Sequence, residues 1–404
     1  MTVIANSLKA QSAAEVLDAV IWAGENARRI EVRGAGTKAA IGRPAAVDLI
    51  LDVSGLSGVV DYAPAELVLT ALAGTPLAEV EAILAGAGQM LAFEPMDHGP
   101  LLGGPAGETS LGGVISANAS GPRRLKDGAA RDHFLGFQAV SGRAEAFKAG
   151  GKVVKNVTGY DLSKLVAGSW GTLCVLTEVT LKVLPRPETA ATLVLRDLGD
   201  ADAVRAMSLA VGSPADISGA AHLPRGLTAR TALGRGSATL LRLEGFGPSV
   251  AARAEALRTL LAPFGPLSRL DADETHTLWR FVRDVGPFAD DVRPVWRVSV
   301  PPMRGPAVLE ALRAEVPCEG FYDWAGGLIW LALAPADDAG EAIVRRAIQA
   351  QSGHATLIRG PASVRARVAV FEPEAPALAA LSQRVKAGFD PLNLLNPGRM
   401  YPEA

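Results

Sequence analysis

The sequence predicts an α+β protein of two domains. Three observations carry this expectation. A glycine loop at residues 34–39 lies between two strand-like stretches, not between a strand and a helix. Pro185 and Pro187 mark a joint near the middle of the chain. Beyond that joint, strands and helices alternate with connections of the antiparallel type. A length of 404 residues suits two domains, and a hydrophobic share of 49% provides for a substantial core.

The elements follow in order. The N-terminal run MTVIANSLKAQSAAEVLDAVIWAGENA reads as an amphipathic helix, with Glu15 and Asp18 inside its apolar stretch. A strand is expected from Arg29 to Arg33. The sequence then turns through RGAGTKAAIGRP, where Gly34, Gly36 and Ala39 fit the G-x-G-x-x-A spacing of a dinucleotide-binding turn. That reading requires a helix directly after the glycines. Gly42 and Pro44 interrupt the next turn, and a proline inside a helix costs about 3 kcal/mol. Residues Val47 to Leu56 alternate like a strand instead. The segment is therefore strand, loop, strand, and its backbone amides can form an anion nest without a helix. Arg33 would add a charge-assisted partner there, and a plain hairpin turn is the alternative.

Glu66 to Gly74 is rich in strand formers. Thr75 is placed as N-cap and Pro76 as first residue of a helix through Ala85, which Gly86 and Gly88 end. Gly99 to Gly121 holds two Gly-Gly pairs and reads as an irregular surface of backbone donors. Arg131 to Val140 enters a strand, and Ser141 to Phe147 suits a hairpin. DLSKLVAG is a short helix with Asp161 as cap and Gly168 as stop. TLCVLTEVTLKVL alternates over a long strand. The second half offers strands at Ala191–Arg196, Ala238–Glu244, Trp296–Val300 and Leu328–Ala334, and helices at Ser249–Leu261 and Glu341–Gln351. The tail FDPLNLLNPGRMYPEA is expected to be mostly extended.

The bulk numbers exclude several classes. A net charge of −2 and a pI near 6.3 argue against nucleic acid as a partner. The two cysteines, Cys174 and Cys318, are too few for an iron–sulfur cluster and suggest a reducing compartment. The five histidines form no H-x-H or H-E-x-x-H pair, so no locally built metal site is expected. No secretory signal and no window of ~18 uncharged apolar residues is seen. The expected location is the cytoplasm, with any attachment to the inner membrane made only indirectly, through partners.

Three motifs stand in fixed order: RGAGTK, TSLGGVISANASG and KNVTGYDLSKLVAGSWGTLCVLTE. Together they resemble the FAD-binding (PCMH-type) domain of the vanillyl-alcohol oxidase / p-cresol methylhydroxylase superfamily. Within it the chain is most similar to the FAD-binding E subunits of bacterial glycolate oxidases, through SGPRRLKDGAARDHFLG, the tryptophan of GSWGTL and the closing FDPLNLLNPGRMYP. The resemblance implies a two-subdomain FAD-binding domain at 1–187. A ferredoxin-like α+β cap domain would follow at 188–404, with a tail from about 388 returning to the first domain. It implies that Arg33, Gly34, Ala35, Gly36, Thr37 and Lys38 wrap the FAD pyrophosphate, with Thr109, Leu111, Gly112 and Gly113 facing them. Asn118 to Gly121 would approach the ribityl and flavin region. Gly168, Ser169, Gly171 and Val175 would supply backbone contacts around the adenine end.

The departures from the superfamily pattern bear on mechanism. Members that attach flavin through the first loop carry His where this chain has Thr37, which implies non-covalent FAD. The H-x-H and H-x-G-D-G-N-x-H metal ligands of the hydroxyacid dehydrogenases are missing; His354 in SGHATLIRG is the nearest trace. The resemblance thus implies an accessory subunit of a complex that oxidises glycolate to glyoxylate, beside a homologous catalytic FAD subunit and an iron–sulfur subunit. Two alternatives stand. One is a self-sufficient FAD-dependent hydroxyacid dehydrogenase using Arg297, Tyr322, Trp324 and His354, for which a salt bridge is the bland reading of Arg297. The other is an interaction protein with a vestigial flavin site. Lys155, Tyr160 and Asp161 belong to the K-N-x-x-G-Y-D-L signature, and Asn396 is placed near the flavin or in a turn before Pro397.

Overall fold

The computed structural model describes residues 6–152 and 159–402. The chain divides into two compact units: Met1–Ser120 with Ala129–Arg186 and Pro373–Ala404, and Gly121–Gly128 with Pro187–Glu372. Gly121–Gly128 thus joins the second unit, and the returning C-terminal segment starts at Pro373, before the expected 388.

The first unit holds two subdomains with separate cores. In one, Asn6–Lys9, Leu49–Asp52 and Ile30–Arg33 form a parallel sheet with Leu49–Asp52 central. The helix Ala13–Glu25 packs against it through Val16, Ala19, Val20 and Ala23, and Leu394 and Leu395 of the tail complete that core. Ser12 caps the helix by accepting from the Glu15 amide. In the other, a five-stranded antiparallel sheet runs Val59–Ala63, Val68–Leu72, Cys174–Lys182, Phe134–Ser141, Ala146–Gly150. The helices Leu77–Gly86 and Leu111–Ser116 pack on it.

Several local expectations change. The N-terminal helix begins only at Ala13, and Asn6–Lys9 is a strand paired with Leu49–Asp52. Pro76, not Thr75, occupies the N-cap position; the Thr75 hydroxyl donates to the Leu72 carbonyl at 2.7 Å. The glycine-rich segment is not irregular throughout: Leu111–Ser116 is helical. Leu111, Val114 and Ile115 are fully buried at the i, i+3, i+4 spacing, and their packing outweighs the poor helix propensity of Gly112 and Gly113. Arg131 lies in the helical turn Ala130–His133, so the strand starts at Phe134. The tail is preceded by a helix, Pro376–Phe389. Asp161 does cap Leu162–Val166, accepting from the Lys164 amide at 3.1 Å. Lys155 lies outside the described residues, and Tyr160 is exposed.

The second unit carries the expected ferredoxin-like βαββαβ pattern twice. The first copy is Thr189–Arg196, Asp200–Val211, Gly219–Leu223, Ala238–Gly245, Gly247–Leu260 and Leu267–Leu270. The second is Val295–Ser299, Gly305–Glu315, Cys318–Asp323, Leu328–Leu333, Glu341–Gln349 and His354–Arg359. Pairing of His222 with Tyr322 joins the copies into one eight-stranded sheet. Gly121–Gly128 is held to this unit by the buried Arg123–Glu244 ion pair at 2.6 Å and by the Trp324 indole donating to the Gly121 carbonyl at 3.0 Å.

Candidate active site: a groove between two glycine loops

The end of the strand Ile30–Arg33 and the start of the helix Leu111–Ser116 meet within the first unit. Their closeness depends on glycine. A Cβ on Gly34 would stand 2.4 Å from Ser110 Oγ. Thr37 Oγ1 and Thr109 Oγ1 lie 3.3 Å apart. Gly36 has φ +77°, a conformation in which a side chain is strained. Between the loops runs a narrow groove open to solvent. It is lined by the first loop from Arg33 to Lys38, by Ser110, Gly112, Gly113, Ser116 and Ala117, and by Trp170, Gly171 and Arg399.

The polar inventory points to an anion. The amides of Gly34, Ala35, Gly36, Thr37 and Lys38 make no hydrogen bond among the described residues, and neither do those of Ser110 and Gly113. A run of successive main-chain donors not used by the fold is suited to an anion. The Lys38 side chain is buried, and its ammonium finds only the Thr37 hydroxyl, at 3.4 Å. Burial pulls its pKa down to about 8; the Asp97 carboxylate opposes the shift and the Arg399 charge adds to it.

Other expected residues play different parts. Arg33 is not free for a phosphate, because its guanidinium holds Glu31 with contacts of 2.8, 2.8 and 3.2 Å. The amides of Leu111 and Gly112 donate to the carbonyls of Thr75 and Ala73. Gly112 instead allows close packing: its Cβ would sit 2.8 Å from Ala73. Thr109 adds its hydroxyl beside Asp97, 3.5 Å away. Asn118 and Gly121 do not line the groove; Asn118 Oδ1 accepts from the Arg131 amide, and Gly121 belongs to the second unit. Gly168, at φ +87°, and Trp170 donate their amides to the carbonyls of Ile115 and Ser116, so this turn closes the end of the helix. Ser169 is buried beside them. Val175 is in the core, since strand alternation turns it away while Cys174 and Leu176 line the groove. Burial pushes the Cys174 thiol up to about 12, so it stays neutral.

The tail contributes more than the sequence suggested. Asn396 Oδ1 accepts from the Val32 amide at 2.9 Å and its Nδ2 donates to the Trp170 carbonyl at 2.8 Å. Arg399 donates to the Lys38 carbonyl at 2.9 Å and lies 5.6 Å from the Trp170 ring. Asp97 fastens the approach to the second loop by accepting from the amides of Gly99 and Gly107. Of these, Asn396 and the Trp170 of GSWGTL drew attention in the sequence; the NPGR turn was the available signal for Arg399, and none marked Asp97.

Comparison with known proteins agrees with this geometry. A family model described as FAD binding domain matches residues 5–150. The glycolate oxidase subunit GlcE of Escherichia coli is 35% identical over 373 residues, covering 92% of this chain and 92% of its own length. The chain belongs to the family of this FAD-linked subunit. The glycolate oxidase subunit GlcD of Bacillus subtilis shares 43% identity over 86 residues, 21% of this chain and 18% of its own. Among solved structures, p-cresol methylhydroxylase superposes with a TM-score of 0.76 at 13% identity, covering 98% of this chain and 88% of that one. This likeness places the fold in the p-cresol methylhydroxylase class. The family's cofactor is FAD, and the loops fit a diphosphate: unbonded amides, a glycine approach that no side chain allows, and a desolvated cation.

The second unit holds a separate polar cluster. The guanidiniums of Arg124 and Arg297 lie 4.3 and 5.0 Å from the centroid of Trp324. The salt bridge expected for Arg297 is not formed among the described residues. Tyr322 donates to Asp200 at 2.8 Å and serves packing between helix and sheet. No group of three or more His, Cys, Asp or Glu among the described residues is gathered to hold a metal ion.

Proposed function

We propose that the chain is the FAD-binding subunit of a glycolate oxidase complex that converts glycolate to glyoxylate, accessory to a homologous catalytic flavoprotein. The observation that carries this reading is the run of five unbonded amides, Gly34 to Lys38, facing the second loop across a single groove. The FAD diphosphate is the ligand whose length and charge suit it. When bound, FAD supplies the electron-accepting chemistry; the protein supplies position and electrostatics. Backbone donors hold the diphosphate, Gly34 and Gly36 let them approach, and Asn396 with Arg399 fixes the loop's outer side. Attachment is non-covalent, because Thr37 offers no imidazole. An iron–sulfur subunit carries electrons onward, and any membrane attachment is through such partners; no helix among the described residues is long and apolar enough to cross a membrane.

Co-purification from the source cell tests this reading. A homologous flavoprotein and a cysteine-rich iron–sulfur protein come down with the chain, and the isolated chain carries acid-releasable FAD yet does not turn over glycolate with an artificial acceptor. Robust activity of the isolated chain would replace the accessory role with the second reading, a self-sufficient hydroxyacid dehydrogenase. Arg297 favours that alternative, since a guanidinium without an acceptor can take a carboxylate. Absence of flavin binding would defeat both.

A further inference from the structure

The first loop contains a charge whose setting is out of balance. Lys38 is 8% exposed and lines the groove; its ammonium nitrogen would lie 3.6 Å from a Cβ on Gly113 and has one weak acceptor, Thr37 Oγ1 at 3.4 Å. No carboxylate among the described residues pairs with it. Asp97 is near enough to be felt but is engaged by the amides of Gly99 and Gly107. Arg399, on the tail, adds a second positive charge. Glu31 and Arg33, which line the same groove, neutralise each other, and Cys174 is uncharged. A buried ammonium between these groups has no carboxylate in direct contact among the described residues.

We propose that Lys38 makes cofactor binding proton-coupled: the diphosphate is the missing counter-ion, and at alkaline pH its arrival drives uptake of one proton by the neutral Lys38 amine. This rests on the reading that the groove holds FAD and adds to it a linkage. The step is simple: the amine lone pair takes a proton from solvent, the ammonium faces the diphosphate, and no other bond changes. Linkage then requires affinity to fall as pH rises through the value of the free protein. With that value at about 8, roughly one tenth of the side chain is neutral at pH 7 and roughly nine tenths at pH 9.

The test is calorimetric titration of FAD into the flavin-free full chain, at pH 7 and pH 9, in pairs of buffers with different ionisation enthalpies. Uptake of about 0.1 proton at pH 7 and about 0.9 at pH 9 is expected, with affinity falling about tenfold per unit above pH 8. Lys38→Arg keeps the charge, binds FAD and loses the pH dependence; Lys38→Met loses it too and binds FAD more weakly. FAD binding with equal proton uptake at both pH values, or uptake at pH 9 that persists in Lys38→Arg, overturns the linkage and leaves the flavin groove standing. No binding by the wild-type chain at either pH overturns the groove reading itself, and the linkage with it.

Discussion

Gly34→Ala is the most informative single substitution in the groove. The added methyl would stand 2.4 Å from Ser110 Oγ and 3.4 Å from Ser110 Cβ. Ser110 is 3% exposed, so its hydroxyl cannot swing into solvent. Relief must come from a shift of one loop against the other. Overpacking of this kind costs about 1–3 kcal/mol. If the shift displaces the amides that grip the diphosphate, FAD affinity falls about 5- to 150-fold. Ser110→Ala removes the offending oxygen and leaves a 3.4 Å contact, which is ordinary. The double variant Gly34→Ala/Ser110→Ala therefore regains most of the lost affinity, with a coupling of at least ~1 kcal/mol between the sites. Quenching of flavin fluorescence measures the affinity, and thermal melting of the flavin-free chain separates it from stability. Strictly additive effects would refute the reasoning, because they would mean that the two loops do not touch.

Three further outcomes are expected. Arg33→Ala lowers FAD affinity less than about threefold in the same titration, because the guanidinium is already committed to Glu31 in a partly exposed pair. Lys386→Met destabilises the chain by about 3–5 kcal/mol in denaturant melts: its buried ammonium serves the carbonyls of Thr172 and Leu395 at 2.7 and 3.0 Å, and its loss leaves the buried Asp390 carboxylate with the amides of Leu394 and Leu395 but no positive partner. Asp200 gives a pH signature. Burial alone would raise its pKa, but His222, Tyr322 and Arg313 outweigh this and hold it at about 2, below the ordinary 3.8. A depressed carboxylate stabilises the fold above its unfolded value and loses that contribution as pH falls through the folded one. Asp200→Asn should therefore abolish about 2 kcal/mol of stability lost between pH 4 and 2 in acid melts.

Much of this was legible from the sequence, for physical reasons. Gly42 and Pro44 forbid a helix after the first loop, and the strands Ile30–Arg33 and Leu49–Asp52 flank it as expected. The Asp161 cap was readable because its carboxylate needs only the amide three residues on. The helix Leu111–Ser116 was missed because paired glycines argue against helix locally, while its stabilisation is tertiary; the spacing of Leu111, Val114 and Ile115 was the available clue. The Arg33–Glu31 pair was also within reach, since residues two apart share one face of a strand. What no local pattern could give was contact across hundreds of residues: Asn396 on Val32, Arg399 on Lys38. The doubled βαββαβ pattern was likewise hidden, because only its order of elements repeats.

Site-resolved amide hydrogen exchange, with and without FAD, bears most directly on the central idea that main-chain donors of the first loop hold the cofactor's diphosphate. The account predicts fast exchange at Gly34 through Lys38 in the flavin-free chain and strong slowing of these five amides on FAD addition. Bound FAD with those amides still exchanging at their free rates would contradict it.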